Sequence, residues 1–471
     1  MNIDSITRRS HWTIYCQAMF FCILFAVWAL PETILIRNIC IVSGALIGAY
    51  QIYCFRASLI GKYTISIWLI FALFIWVTFH LLFFSNNYPL QYAEFLSIWK
   101  RSFLGAIFAI GFGLGLANTS SKCSKDAWAI FYVGLLLPTL IYIFKFGFIY
   151  YSKLTGVSAP EYLQLFPSGV SRFYIAKTAY VGFCIPILAV ALGQLYGQIK
   201  KGSWIAWANL GYLSTISAVL FVFFAENIKN GLVYSLVLIC IFISLIAKKT
   251  FKTSPIKTTV LISICILLLG FLIKNHVEQN HSWVMFFADA KIAVQTNTYQ
   301  NWQCSQALGL PMNSFGEPVT ATNYERIAWG LRAIMLIAQH PQGYGLVEKS
   351  FGQFGHEQWS NSCLSQSHSG WLDLILGIGI PGVFLLISAL LVNLKNLIRL
   401  HSFKDIETQH WSSTLFWVIL SFLLIWCTTE ISQKVFVEEL NFFLAMAAGF
   451  VAMQSTIIKF KYAMTVVESG A

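Results

Sequence analysis

The sequence predicts an all-α polytopic membrane protein with about twelve transmembrane helices and one large loop outside the membrane. Three observations predict it. Hydrophobic residues make up 57% of the 471 and charged residues only 11%, against roughly 25% charged in an average soluble domain. A mean hydropathy of +0.68 with 40 phenylalanines cannot be hidden in a soluble core. Apolar runs of about 18 or more residues, the length that crosses a hydrocarbon layer, recur twelve times. They are continuous, whereas a membrane β-barrel would show alternating segments of about ten residues.

In order, the runs are 12–30, 33–54, 63–85, 102–119, 126–150, 177–199, 203–224, 230–247, 256–273, 371–392, 411–430 and 437–458. The first is too long for a signal-peptide core and lacks a small-residue cleavage site, so it reads as a retained helix. The organisation that follows is 1–273 with nine spans and short loops, 274–370 as the large loop, and 371–471 with three spans and a tail. A shorter segment outside the membrane covers about 151–176.

Charge sets the expected orientation. An even number of spans puts both termini on one side. That side carries 17 basic and 5 acidic residues, a net of +12, including Lys200, Lys201, Lys248, Lys249, Lys395 and Arg399. The opposite side carries 14 basic and 13 acidic residues, and Asp373 lies inside a helix. Short basic loops stay in the cytoplasm, so both termini are expected there and the large loop on the non-cytoplasmic side. The formal charge of +12 is therefore topology and gives no reason to expect nucleic acid.

The large loop holds five of the nine histidines. Loops of this length are usually functional. No CxxC pair occurs, and His356-Glu357 lacks the second histidine of a zincin. No carboxylate cluster is shaped for a divalent cation, so no metal and no cofactor is expected. Glu438 and Glu439 are expected to lie in a short external loop and to point different ways, unlike the paired carboxylates of a glycosidase. Most of the eleven cysteines sit in apolar runs as small hydrophobes. Cys304 and Cys363 are the exceptions. Both fall in the loop on the oxidising side, so a disulfide between them is expected. It would tie the first half of the loop to the segment before His368.

The end of the loop has a grammar of its own. Thr322-Asn323-Tyr324-Glu325 has capping-box spacing, and Ile327, Leu331, Ile334 and Ala338 follow as an amphipathic stripe. This predicts a helix over 323–339, lying on the bundle or on the membrane surface and stopped by His340-Pro341. Arg326 falls in its first turn, the unfavourable end of the helix dipole for a cation. Taken alone it reads equally as a solvated arginine. Ser367-His368-Ser369-Gly370 then puts His368 at the mouth of the tenth span. A neutral imidazole there can accept a proton from a hydroxyl, or simply hydrogen-bond to headgroups. Gly379 and Gly382 would let a neighbouring helix come close. Arg172, just before the sixth span, and Lys229, in a very short turn, are cations that run against the positive-inside bias. They could neutralise a lipid-linked diphosphate or make ordinary headgroup contacts.

The combination Arg326-x-x-Trp329, His340-Pro341-x-Gly343-x-Gly345, His368-Ser369-x-x-Leu372 and Gly379-x-x-Gly382 resembles the O-antigen ligase and polymerase superfamily. The motifs cover about 320–385, and the twelve-span layout extends the likeness to the whole chain. The resemblance implies a GT-C-like membrane glycosyltransferase without a nucleotide site. Its donor would be a polysaccharide on undecaprenyl diphosphate. In the ligase branch the acceptor is a lipid A-core sugar at the periplasmic face of the inner membrane. The family's functional histidine falls on His368, and its diphosphate-binding cations on Arg172 and Arg326. Lys229-Asn230-Gly231 stands where the family often has Ser-Arg-Gly, so Lys229 would supply a point charge in place of a guanidinium fork. The same donor serves an O-antigen polymerase and a protein O-oligosaccharyltransferase. A twelve-helix transporter or flippase is the alternative from another class; it would place ionisable residues at mid-depth in broken helices.

Overall fold

The computed structural model describes residues 3–28, 30–165, 167, 171–403, 405–428 and 435–469. Ser168, Gly169 and Val170, which precede Arg172, and the last residues of the 411–430 run lie outside these. The helices are α1 (Ile3–Trp28), α2 (Ile34–Cys54), α3 (Ile65–Phe83), α4 (Tyr88–Glu94), α5 (Lys100–Ala117), α6 (Ser121–Thr155), α7 (Lys177–Lys200), α8 (Trp207–Ala225), α9 (Lys229–Thr250), α10 (Pro255–Gln279), α11 (Phe286–Ala293), α12 (Ser305–Leu308), α13 (Ala321–Gln339), α14 (Ser350–Gln358), α15 (Gly370–His401), α16 (Ile406–Thr428) and α17 (Val435–Ser469). Among the described residues twelve spans are long and apolar enough to cross a membrane, with α4 and α5 joined through a π-helical turn into one of them. The chain is thus an all-α polytopic membrane protein. Among the described residues the only β-type pairing is an isolated bridge between Met312 and Pro318.

Burial sorts the spans. The most apolar window of α17 is 100% buried and that of α7 is 94% buried, so these two helices form the centre of the bundle. The corresponding figure for α10 is 6%, which leaves it at the rim facing lipid. A helix that is apolar all round can take either place, so neighbours decide. Glycine decides for α5. A Cβ on Gly111 would lie 2.3 Å from the Gly48 Cα of α2, and one on Gly113 would lie 2.2 Å from the Met446 carbonyl of α17. Small residues thus bring three backbones together, the packing available where lipid removes the hydrophobic drive between helices.

The charges of α17 differ from the sequence expectation. Glu438 and Glu439 are not in a loop. They lie on the first turns of the helix, 2% and 0% exposed. Glu438 meets the Arg101 guanidinium at 2.8 Å and accepts from the Trp28 indole at 3.3 Å. The apolar run starting at residue 437 hid these positions, because a buried ion pair is indistinguishable in sequence from two loop charges.

Between α10 and α15 the chain builds a small core of its own around Trp302, Tyr324, Leu336, Tyr344, Phe351 and Phe354. Buried Asp289 organises its entrance. Its carboxylate accepts from Asn313 Nδ2 at 3.2 Å, from Thr320 N at 3.1 Å and from Asn323 Nδ2 at 2.9 Å. The helix that follows begins at Ala321, with Thr320 at its N-cap and Thr322 already inside it, and Glu325 bonds to Ser305, so the expected capping box does not form. The predicted helix exists as α13, but its buried face is Tyr324, Ala328 and Leu336, while Leu331 and Ile334 of the expected stripe are exposed. Two apolar faces on one helix give it a contact with the loop core and a second face for the surface beyond.

Candidate functional site

The loop is anchored to the bundle at a break in α15. Gly379 has φ +72° inside that helix, two residues before Pro381. The break frees carbonyls that the helix would otherwise use. Leu376 O accepts from Tyr344 N at 2.7 Å, and Gly377 O from Gly345 N at 2.7 Å. Ile380 N in turn donates to Pro341 O at 2.8 Å. The His340-Pro341-x-Gly343-x-Gly345 turn therefore completes the hydrogen bonding of a broken helix, which is how irregular backbone is tolerated at membrane depth. Gly343 must be glycine: its φ is +85° and a Cβ would sit 2.5 Å from Gly379 N. So Gly379 faces loop backbone and not a neighbouring helix. Gly382 does face one, with Trp76 of α3 2.9 Å from its Cβ position.

His368 lies just before α15, with φ +59°. A non-glycine residue there is uncommon and tends to occur where function needs it. The turn is held from both sides. Asp373 Oδ1 accepts from Ser367 N at 2.8 Å, and Asp373 N donates to Ser369 O at 2.9 Å. The imidazole stacks on Trp329 of α13, ring centroids 5.1 Å apart and planes 15° apart. Trp329 is itself fixed by its indole N–H, which donates to Trp302 O at 2.7 Å.

Arg326 is one turn before Trp329 on the same helix, so the cation and the imidazole share a face. Its Nη1 donates to Asn230 Oδ1 at 3.2 Å. The neighbouring Lys229 lies over the Trp283 ring, 5.1 Å from its centroid, close enough to Arg326 for the two charges to act on each other. Trp283 continues the chain by donating to His276 Nδ1 at 2.9 Å. Below these groups, Leu220, Leu232, Leu236, Leu269 and Ile273 line an apolar cavity of about 240 Å³, with His276 and Trp283 at one end.

Of the residues singled out in the sequence, His368 is linked to α13 through Trp329, and Arg326 of that helix to the Lys229 turn through Asn230. Among the described residues, no hydrogen bond or ion pair joins Arg172 to them. It is exposed and lies over the ring of its own neighbour Phe173, 4.8 Å away. Among the described residues, none of Arg172, Arg326 and Lys229 forms an ion pair with a carboxylate. The nearest pair, Lys177 with Glu226 at 3.7 Å, ties the start of α7 to the turn that carries Lys229.

Cys304 and Cys363 are disulfide-bonded, with Cα atoms 4.8 Å apart. Beside them Arg332 packs over Trp302 and Trp359, and donates to Asn297 at 2.6 Å. Burial pushes the Tyr324 hydroxyl up to about 12, so it stays protonated and donates to Tyr299 O at 2.9 Å. These contacts make the platform under Trp329 stiff.

The sequence reading missed Trp329, Asp373, Asn230 and Trp283 as working parts. Asp373 did carry a signal, as a lone acid in an otherwise apolar helix. The partners of Lys229 carried none, since Trp283 is distant in sequence. No family model matches the chain, and no curated protein matches it.

Proposed function

We propose that the protein is an inverting, metal-independent glycosyltransferase of the O-antigen ligase kind. It would move O-antigen polysaccharide from undecaprenyl diphosphate to a lipid A-core sugar at the periplasmic face of the inner membrane, with both termini cytoplasmic. The observation that carries the reading is the single face of α13 on which His368, through Trp329, and Arg326, through Asn230 to Lys229, are gathered. It joins one group able to take a proton to two cations that form no ion pair among the described residues, with the Asp289 carboxylate acting on Lys229 from beyond ion-pair distance.

The chemistry divides along that face. The acceptor hydroxyl gives its proton to His368 as its oxygen attacks the anomeric carbon. The bond from that carbon to the diphosphate oxygen breaks, and the leaving group takes the electron pair. Arg326 and Lys229 offset the charge that develops there, the kind of fixed electrostatic help that acts without reorganisation. The apolar cavity below Lys229 suits the first isoprene units of the donor. Arg172 would meet the donor as a steering charge at the surface.

The test is reconstitution of purified protein with an undecaprenyl-diphosphate glycan and a rough lipid A-core. Transfer to the core supports the ligase. Elongation of a second lipid-linked glycan would indicate the polymerase, and glycosylation of a protein acceptor the oligosaccharyltransferase. Movement of donor across the bilayer without turnover would indicate a transporter.

A further inference from the structure

The opposite end of the bundle holds a second group of cations with no assigned task. Tyr63, just before α3, is surrounded by three of them. The Arg399 guanidinium lies 3.7 Å from its ring centroid, Lys62 Nζ 5.2 Å and Lys459 Nζ 5.7 Å. They come from the turn before α3, the end of α15 and α17, so the fold and not local sequence assembles them. Like charges this close repel. Among the described residues none of the three forms an ion pair, and the buried Arg399 Nε has no hydrogen-bond partner, although Nη2 reaches Ser455 Oγ at 3.0 Å.

An apolar groove of about 600 Å³ opens beside this cluster. It runs between α3 on one side and α2 and α5 on the other, lined by Ile52, Ile67, Phe71, Phe74, Phe103 and Ile107. Arg56 stands at its mouth, stacked over Tyr53 at 4.9 Å. The connecting turns between Arg56 and Thr64 rest on α17, where Ser58 Oγ meets Met453 Sδ at 3.1 Å. Ile67 of the groove is one turn from Tyr63. A second hollow of about 650 Å³, toward the loop end, shares Phe71, Phe74 and Phe103 with the first. The furrow is therefore continuous along α3.

We propose that this end of the bundle binds one anionic phospholipid of the adjoining leaflet. Its phosphate sits among Lys62, Arg399 and Lys459, with Arg56 at the rim, and its acyl chains lie in the groove along α3. The occupant follows from complementarity. Three or four cations lack a described counter-ion, and a furrow of aromatic and aliphatic side chains starts at the same depth. Basic pockets between membrane helices recognise acidic headgroups in this way, and each cation near the surface contributes about fivefold in affinity. A zwitterionic headgroup would bring its own ammonium into the cluster. Positive charges that served only orientation would need neither convergence on one ring nor a furrow beside them.

The experiment is native mass spectrometry of the full chain, delipidated and then titrated with phosphatidylglycerol or phosphatidylethanolamine. The expected result is one retained phosphatidylglycerol, favoured over phosphatidylethanolamine by about tenfold or more. The double variant Lys62→Gln with Lys459→Gln should lose most of that preference. Ala49→Trp fills the groove from an exposed position and leaves the cations intact, so it should lower retention of phosphatidylglycerol with an unchanged thermal midpoint. Equal retention of the two lipids by the wild type would overturn the proposal. So would wild-type retention in Ala49→Trp, even if the double variant failed to fold.

Discussion

The His368 imidazole is stacked on the Trp329 indole, 5.1 Å between centroids and 15° between planes. This one contact joins the loop core to the mouth of α15, and it places the imidazole one helical turn from Arg326. It gives the proposed base a fixed orientation. Trp329→Ala should therefore leave the protein folded and reduce turnover. Stacking of this kind contributes about 0.5–1.5 kcal/mol, so a loss of roughly two- to twelvefold is expected, with Trp329→Phe between variant and wild type. Initial rates with saturating donor measure it.

Asp373 should act through position. Its carboxylate holds Ser367 N, one residue before His368. Asp373→Ala leaves that buried N–H without its acceptor, at a cost of about 1–3 kcal/mol. Asp373→Asn keeps an acceptor oxygen and should recover most of the loss. Thermal midpoint and turnover should fall together in the alanine variant; turnover equal to wild type would remove the residue from the site.

The cations should not be equivalent. Arg326→Ala and Lys229→Ala each remove one charged hydrogen bond from a partly buried place, worth about 1.5–3 kcal/mol, or roughly ten- to hundredfold in donor affinity or rate. Lys229→Arg should be milder than Lys229→Ala. Arg172→Ala should fall less than Arg326→Ala, because Arg172 is exposed and rests on Phe173. Donor titrations of the three alanine variants would show the order, and an Arg172→Ala defect larger than that of Arg326→Ala would reverse it.

Gly343→Ala should disrupt the whole anchor. The added Cβ meets Gly379 N at 2.5 Å from a left-handed backbone, so destabilisation beyond about 1 kcal/mol is expected. Detergent thermal melts check it, with Gly316→Ala as control. That residue is also left-handed, at φ +76°, but nothing lies within 4 Å of its Cβ position. A similar loss in both variants would put the effect on the backbone alone and remove the close approach to Gly379.

Thiol labelling of denatured protein bears on the loop. Cys304 and Cys363 should label only after reduction. Reduction should loosen the loop, since closing about sixty residues is worth roughly 4 kcal/mol in the chain-entropy description. Labelling of both without reductant would remove the bridge.

How much of this was legible in the sequence follows from what each signal depends on. The spans were legible because crossing lipid requires continuous apolar length, and α3 or α9 meets that locally. The helix at Ala321–Gln339 was legible from periodicity, but its inward face was not. The stripe Ile327–Leu331–Ile334 is the more apolar face, and the loop core instead took Tyr324, Ala328 and Leu336. The capping box failed because the helix starts two residues earlier than that spacing expects, and Ser305, distant in sequence, takes the Glu325 carboxylate. His368 and Arg326 stood out by type and place. The ring that joins them, and the pairing of Arg101 with Glu438, exist only once helices from distant parts of the chain meet.

The most direct measurement is glycan transfer by wild type and His368→Ala, both reconstituted in liposomes with an undecaprenyl-diphosphate glycan and a rough lipid A-core. The account predicts product from the wild type. It predicts a loss of about a hundredfold or more in the variant, with elution, thermal midpoint and donor binding unchanged. Transfer at the wild-type rate by a folded His368→Ala protein would contradict it.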